Sequence, residues 1–127
     1  MLNLVTINVQ GLRDKHKRLE VFQTLRNENY DVIAIQETHC DSAAEEDWKG
    51  EWEGESVWTT YSHDKAGVAF LFNPNLDIKI LEKKSDENGR VLCLIVEIEN
   101  WPFEYFSTYF VSNWRPCLAV ITTLVRT

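Results

Sequence analysis

The chain has 127 residues, 44% hydrophobic and 12% aromatic, with a formal net charge of −7 at pH 7: enough apolar material for one compact domain, and an acidic total that argues against a generic nucleic-acid-binding surface. No stretch approaches the roughly 20 apolar residues of a membrane-spanning helix, so no membrane association is expected. The three cysteines, Cys40, Cys93 and Cys117, are odd in number and lack a Cys-x-x-Cys spacing, which disfavours a disulfide framework and a zinc ribbon. With no basic stretch ahead of an apolar segment at the start, an intracellular chain is expected.

The first predicted element is a strand, Leu2–Val5, running into Thr6-Ile7-Asn8-Val9-Gln10-Gly11. A basic run follows at Arg13, Lys15, His16, Lys17 and Arg18 and opens a helix over about Lys15–Glu28. Leu19, Phe22 and Leu25 recur at helical spacing there, with Val21 and Leu25 four apart. Asp14 suits the N-cap, and Asn27-Glu28-Asn29 a stop. A second buried strand, Asp31–Ile35, ends in Gln36-Glu37-Thr38-His39. One helix between two strands favours a right-handed crossover, which makes the strands parallel and puts Asn8 and Glu37 on one sheet edge.

Residues 41–55 hold seven carboxylates against Lys49, so most of the negative charge is local and a phosphate backbone could still be met at Arg13, Lys15, Lys17 and Arg18; the alternative is a solvated helix start. Trp48 and Trp52, four apart, predict a short surface helix over 41–54 with its indoles packed inward. Strands are then expected at Ser56–Tyr61, Gly67–Phe72, Asp77–Lys84, Arg90–Glu99 and Phe103–Phe110, separated by Asn73-Pro74-Asn75, Asp86-Glu87-Asn88-Gly89 and Asn100-Trp101-Pro102. Arg90–Glu99 is expected to be buried on both faces at first and on one face later. The whole reads as a β-rich α/β layer structure.

Two residues carry the candidate chemistry. A carboxylate directly after an apolar run, as at Glu37, is costly to bury unless paired or bound to a cation. Beside an amide at a sheet rim it suits a phosphate-bound Mg²⁺, which takes hard oxygen ligands and only one or two carboxylates; the alternative is a solvated strand end. Asn8 either donates its amide to a phosphate oxygen or attacking water, or forms a turn before Gly11. His39, two residues past Glu37, either supports Glu37 or contacts substrate, or is simply a loop histidine.

Taken together, Thr6–Leu12, Asp31–Cys40, Lys65–Phe72, Asp86–Arg90 and Tyr109 at the end of the next strand resemble the endonuclease/exonuclease/phosphatase superfamily. Within it they are similar to the apurinic-like endonuclease domain of non-LTR (LINE-type) retrotransposons. The resemblance implies the N-terminal half of a four-layered, DNase I-like α/β sandwich, with DNA as substrate and Mg²⁺ as cofactor, Mn²⁺ being an alternative. It also implies that Glu37 is the metal ligand and that Asn8 and Tyr109 act at the phosphate. A phenol at Tyr109 could donate to developing negative charge, although Tyr105, Phe106 and Phe110 beside it make a core role the alternative.

Phe110-Val111-Ser112-Asn113 departs from the family's Ala-Pro-Asn, and its later Asp-x-Asn, Asp and Ser-Asp-His do not follow. The expectation is a partial domain over 1–110 and an unrelated tail over 111–127 carrying the β-prone Leu118-Ala119-Val120-Ile121. It is read as a truncated relic, inactive alone, that binds Mg²⁺ weakly. The alternatives are an interaction module derived from that domain or a small-molecule phosphoesterase. Oligomeric state is left open.

Overall fold

The computed structural model describes residues 3–98 and, beyond them, the strands at 105–111 and 118–124 by their backbone pairing. In chain order the elements are β1 (Leu4–Asn8), α1 (Lys15–Asn27), β2 (Val32–Gln36), α2 (Glu45–Glu51), β3 (Ser56–Trp58), β4 (Val68–Phe72), β5 (Ile78–Ser85), β6 (Val91–Ile98), β7 (Tyr105–Val111) and β8 (Leu118–Leu124). One four-stranded sheet has the order β1-β2-β4-β3 and the other is the meander β5-β6-β7-β8. β1 and β2 are parallel with Asn8 opposite Gln36, as the single crossover through α1 requires.

α1 starts where Asp14 accepts the Lys17 backbone N–H at 3.0 Å, which satisfies one of the orphan donors of the first turn. Its buried residues are Arg18, Phe22 and Leu25. Phe22 and Leu25 pack with Trp48, Trp52 and Trp58 against Ile33, Ile35, Ala69 and Leu71 on one face of the first sheet. The opposite face, through Val32, Ala34, Val68, Phe70 and Phe72, meets Leu92, Leu94, Val96 and Ile98 of β6. Strand alternation thus splits the core in two, each fully buried Leu, Ile or Phe contributing roughly 1.5–3 kcal/mol. Helices, sheet and sheet make three layers of an α/β sandwich among the described residues. No described helix is long and apolar enough to cross a membrane.

Several boundaries differ from the sequence expectation for physical reasons. The strand expected to reach Tyr61 ends at Trp58, because only half of the ladder is kept at Thr59: its backbone N–H still donates to the Val68 carbonyl at 2.8 Å, but the Val68 N–H is accepted at 2.9 Å by the Thr59 Oγ1, which also donates to the Val68 carbonyl at 3.2 Å. β6 buries one face throughout and leaves Val91, Cys93 and Ile95 half-buried, so it is not closed on both faces at its start. β5 is the outer strand of its sheet, with a register irregularity between Ile80 and Glu82 and lysines at 79, 83 and 84, features that discourage pairing with another chain. The Asn100-Trp101-Pro102 turn and most of 111–127 lie outside the described residues. Within that tail, Leu118–Leu124 pairs antiparallel with β7, so the β-prone run takes a place in the second sheet.

Candidate functional site

Asn8 ends β1 and Glu37 follows β2 directly, and the structure brings them together: the Asn8 amide donates to Glu37 Oε2. The Asn8 carbonyl oxygen accepts the Gln10 N–H at 3.0 Å, so both ends of the amide are committed and its orientation follows. Beyond the strands the pairing continues in irregular form, with Val9, Gly11 and Leu12 donating to the carbonyls of Gln36, Glu37 and Thr38 at 2.7–3.0 Å. Glu37 Oε1 lies 4.0 Å from His39 Nε2, and the Glu37 side chain is 42% exposed. The result is a carboxylate at a rim, with one oxygen held by an amide and the other facing an imidazole and water.

Two glycines set the distances. A Cβ on Gly11 would stand 2.6 Å from His39 Nδ1, and one on Gly67 2.3 Å from Thr38 Oγ1, and both backbones have φ near +90°. Gly67 and Ala66 carbonyls accept the Thr38 and His39 N–H groups at 3.1 and 2.9 Å, and the Gly67 N–H donates to Gly89 at 2.8 Å. The loops after β1 and β2, the entry to β4 and the β5–β6 turn therefore meet at one junction. Buried Thr38, together with Gly67 and Gly89, was missed as a site former, although all three lie within the Asp31–Cys40, Lys65–Phe72 and Asp86–Arg90 motifs.

The basic residues expected at a phosphate divide. Lys17 donates its ammonium to the carbonyls of Val9 and Gln10 at 2.8 and 3.1 Å, clamping the loop behind Asn8. Arg18 is 5% exposed and is spent internally: Nε and Nη2 donate to Glu51 at 2.5 and 2.9 Å and Nη1 to the Leu12 carbonyl at 2.9 Å, over the Trp48 ring. The expectation that Arg18 faces substrate is therefore corrected, and Lys17 reads first as a clamp. Arg13 pairs with Asp41 at 3.3 Å and remains about half-exposed, and Lys15 is exposed on the first turn of α1. Both stay accessible to an anion.

Tyr109 pairs with Cys93 and Val120 in the second sheet; its side chain lies outside the described residues. Ser62 and Asp64 bond to each other in a loop, and Asp86 accepts the Arg90 and Val91 N–H groups at 3.0 and 3.1 Å as a turn cap, so neither supplies a carboxylate to Glu37. Burial pushes the Cys40 thiol up to about 12, with the Glu45 and Asp41 carboxylates adding to it, which keeps it protonated and unreactive. No group of three or more His, Cys, Asp or Glu side chains that could hold a metal occurs among the described residues.

Residues 5–123 match the Endonuclease/Exonuclease/phosphatase family. The chain belongs to that family. The match runs past residue 110, into β8. Over 108 residues, 85% of the chain, it is 29% identical to the "Transposon TX1 uncharacterized 149 kDa protein" of Xenopus laevis, of which it spans 8%. Among solved structures it is similar to the AP endonuclease LMAP from Leishmania major, with a TM-score of 0.55 and 19% identity, over 98% of this chain and 40% of that one. It is also similar to a mannosyl-6-phosphatase from Bacteroides thetaiotaomicron, with a TM-score of 0.58 and 13% identity, over 86% of this chain and 50% of that one. These structural likenesses establish the family's DNase I-like α/β sandwich fold, and the family member spans half or less of each of these relatives.

Proposed function

We propose that these 127 residues form the metal- and phosphate-binding side of a retrotransposon-type DNA endonuclease site and do not hydrolyse DNA by themselves. The observation that carries this reading is the Asn8–Glu37 pair at the open end of two parallel strands. The donor set fits Mg²⁺: a single rim carboxylate with one oxygen outside its amide contact suits an ion that keeps several waters and takes its remaining ligands from phosphate. Glu37 would hold the ion and Asn8 would fix the carboxylate that does so. When bound, Mg²⁺ or Mn²⁺ supplies Lewis-acid polarisation of the phosphoryl group. Arg13 and Lys15 meet flanking phosphates, and the family resemblance assigns Tyr109 of β7 to the same phosphate. Similarity to a transposon protein supports DNA over a small phosphoester as substrate.

No Asp, Glu or His occurs after Tyr109 in this chain, and His63 and Asp64 sit in the loop before Gly67. Without a positioned base, hydrolysis forgoes a factor of about 10²–10⁴. Calorimetric titration with Mg²⁺ should therefore show weak binding, unsaturated at sub-millimolar concentration and abolished in Glu37→Gln. Purified protein should leave supercoiled or abasic plasmid unnicked with either ion. Tight Mg²⁺ binding that survives Glu37→Gln would refute the assignment of the site, and nicking that Glu37→Gln abolishes would refute the inactivity.

A further inference from the structure

Three large hydrophobic side chains are exposed among the described residues: Leu19, Tyr61 and Leu81. Tyr61 differs from the other two in where it stands and how it is held. Its N–H donates to the Cys40 carbonyl at 3.1 Å, three residues past Glu37. A Cβ on Gly89 would come within 2.7 Å of its own Cβ, so the β5–β6 turn presses against it. Gly89 in turn accepts the Gly67 N–H, and Gly67 accepts the Thr38 N–H, so Tyr61 stands on the junction that carries the Asn8–Glu37 pair. The Lys65 ammonium sits 5.8 Å from its ring centroid, and the residue remains 44% exposed. Asp64, the nearest acid in sequence, is already hydrogen-bonded to Ser62.

A half-exposed aromatic ring whose backbone N–H and Cβ are held beside the rim offers a base a surface to lie on, and every nucleobase offers a π-face. The cation over the ring adds a contact for the backbone of the same strand. We propose that Tyr61, backed by Lys65, is a stacking platform for an unpaired base of the DNA strand whose phosphate reaches Glu37. This deepens the endonuclease reading and rests on it.

The test is titration of a single-stranded oligodeoxynucleotide carrying 2-aminopurine, first in EDTA and then with Mg²⁺. In EDTA the wild type should quench the fluorescence saturably. Tyr61→Ala should weaken binding about 5- to 150-fold, the equivalent of roughly 1–3 kcal/mol for one stacked base, with the quenching lost. Tyr61→Phe, which keeps the ring and reports on folding, should bind and quench like the wild type. Lys65→Ala should make the slope of log K against log salt shallower by about 0.7, the value for one phosphate contact on a single strand. Equal quenching by wild type and Tyr61→Ala, or none by the wild type, would overturn the platform. Failure of the metal reading is separate: it appears as no Mg²⁺-dependent tightening in either wild type or Tyr61→Ala.

Discussion

Replacing Arg18 tests whether the helix start serves the fold or a ligand. Its guanidinium makes two bonds to Glu51, one to the Leu12 carbonyl and a longer one, at 3.5 Å, to the Arg13 carbonyl, with the Arg18 and Glu51 side chains 6% and 20% exposed. Arg18→Met keeps the aliphatic reach over Trp48 but strands a carbonyl and a carboxylate. Removing one member of a fully buried pair costs about 3–5 kcal/mol, and a buried acceptor left alone about 1–3. Glu51 retains a fifth of its surface in water and can rehydrate, so we expect a loss of roughly 2–4 kcal/mol, a fall in Tm of about 8–16 °C at about 4 °C per kcal/mol. In a double-mutant cycle with Glu51→Gln by urea denaturation, the coupling should be about 1.5–3 kcal/mol. The Arg18 hydrogen bonds hold the Glu51 carboxyl below its ordinary 4.5, with the Arg18 charge and then Lys15 adding to the effect. A depressed folded pKa contributes stability that is present above the unfolded value and lost as pH falls through the folded one. The stability gap between wild type and Glu51→Gln should therefore be flat from neutral pH to about 4.5 and close below it. Coupling under about 0.5 kcal/mol, or a gap unchanged by acid, would refute the reasoning.

Two further outcomes follow from the junction. Gly67→Ala must place its Cβ against buried Thr38 at φ +92°, so it should destabilise by more than about 2 kcal/mol, and by more than Gly11→Ala, whose obstacle is the rotatable His39 ring; urea denaturation of the two variants checks the order. At position 37, Gly should exceed Ala in stability by about 1–2 kcal/mol, because φ is +53° there and both variants lose the same carboxylate; equal stabilities in the same assay would remove the backbone strain.

α1, its Asp14 cap and the parallel pair were legible because local patterns encode them: apolar residues at helical spacing, a capping oxygen and one short crossover. The meeting of Asn8 and Glu37 followed from that topology alone. Arg18 was misread because a run of five basic or imidazole side chains looks the same in sequence whether solvated or paired. Yet the helical spacing already held the signal, since Arg18, Phe22 and Leu25 fall on one face, and all three are buried. Its partner Glu51 is 33 residues away, which no local pattern reveals. Thr59 ended a strand for a similar reason: its hydroxyl, rather than its carbonyl, accepts the Val68 N–H.

The rim also concentrates a cost that the core does not carry. Gln10, Glu37, His39 and Ala66 all have positive φ without being glycine, a conformation that costs about 1–2 kcal/mol for a residue with a Cβ, and all four stand in the loops that meet at Thr38 and Gly67. Where a turn alone is needed, glycine or asparagine meets it more cheaply, as Asn29 does after α1 at φ +57°. The compensations are equally local: the Lys17 ammonium on two loop carbonyls, the backbone bonds from Gly11, Leu12, Thr38 and His39, and Arg18, which donates to the Leu12 carbonyl and is ion-paired with Glu51. Two members of the basic run, Lys17 and Arg18, thus hold loop carbonyls near Glu37, while Arg13 and Lys15 keep their exposed faces.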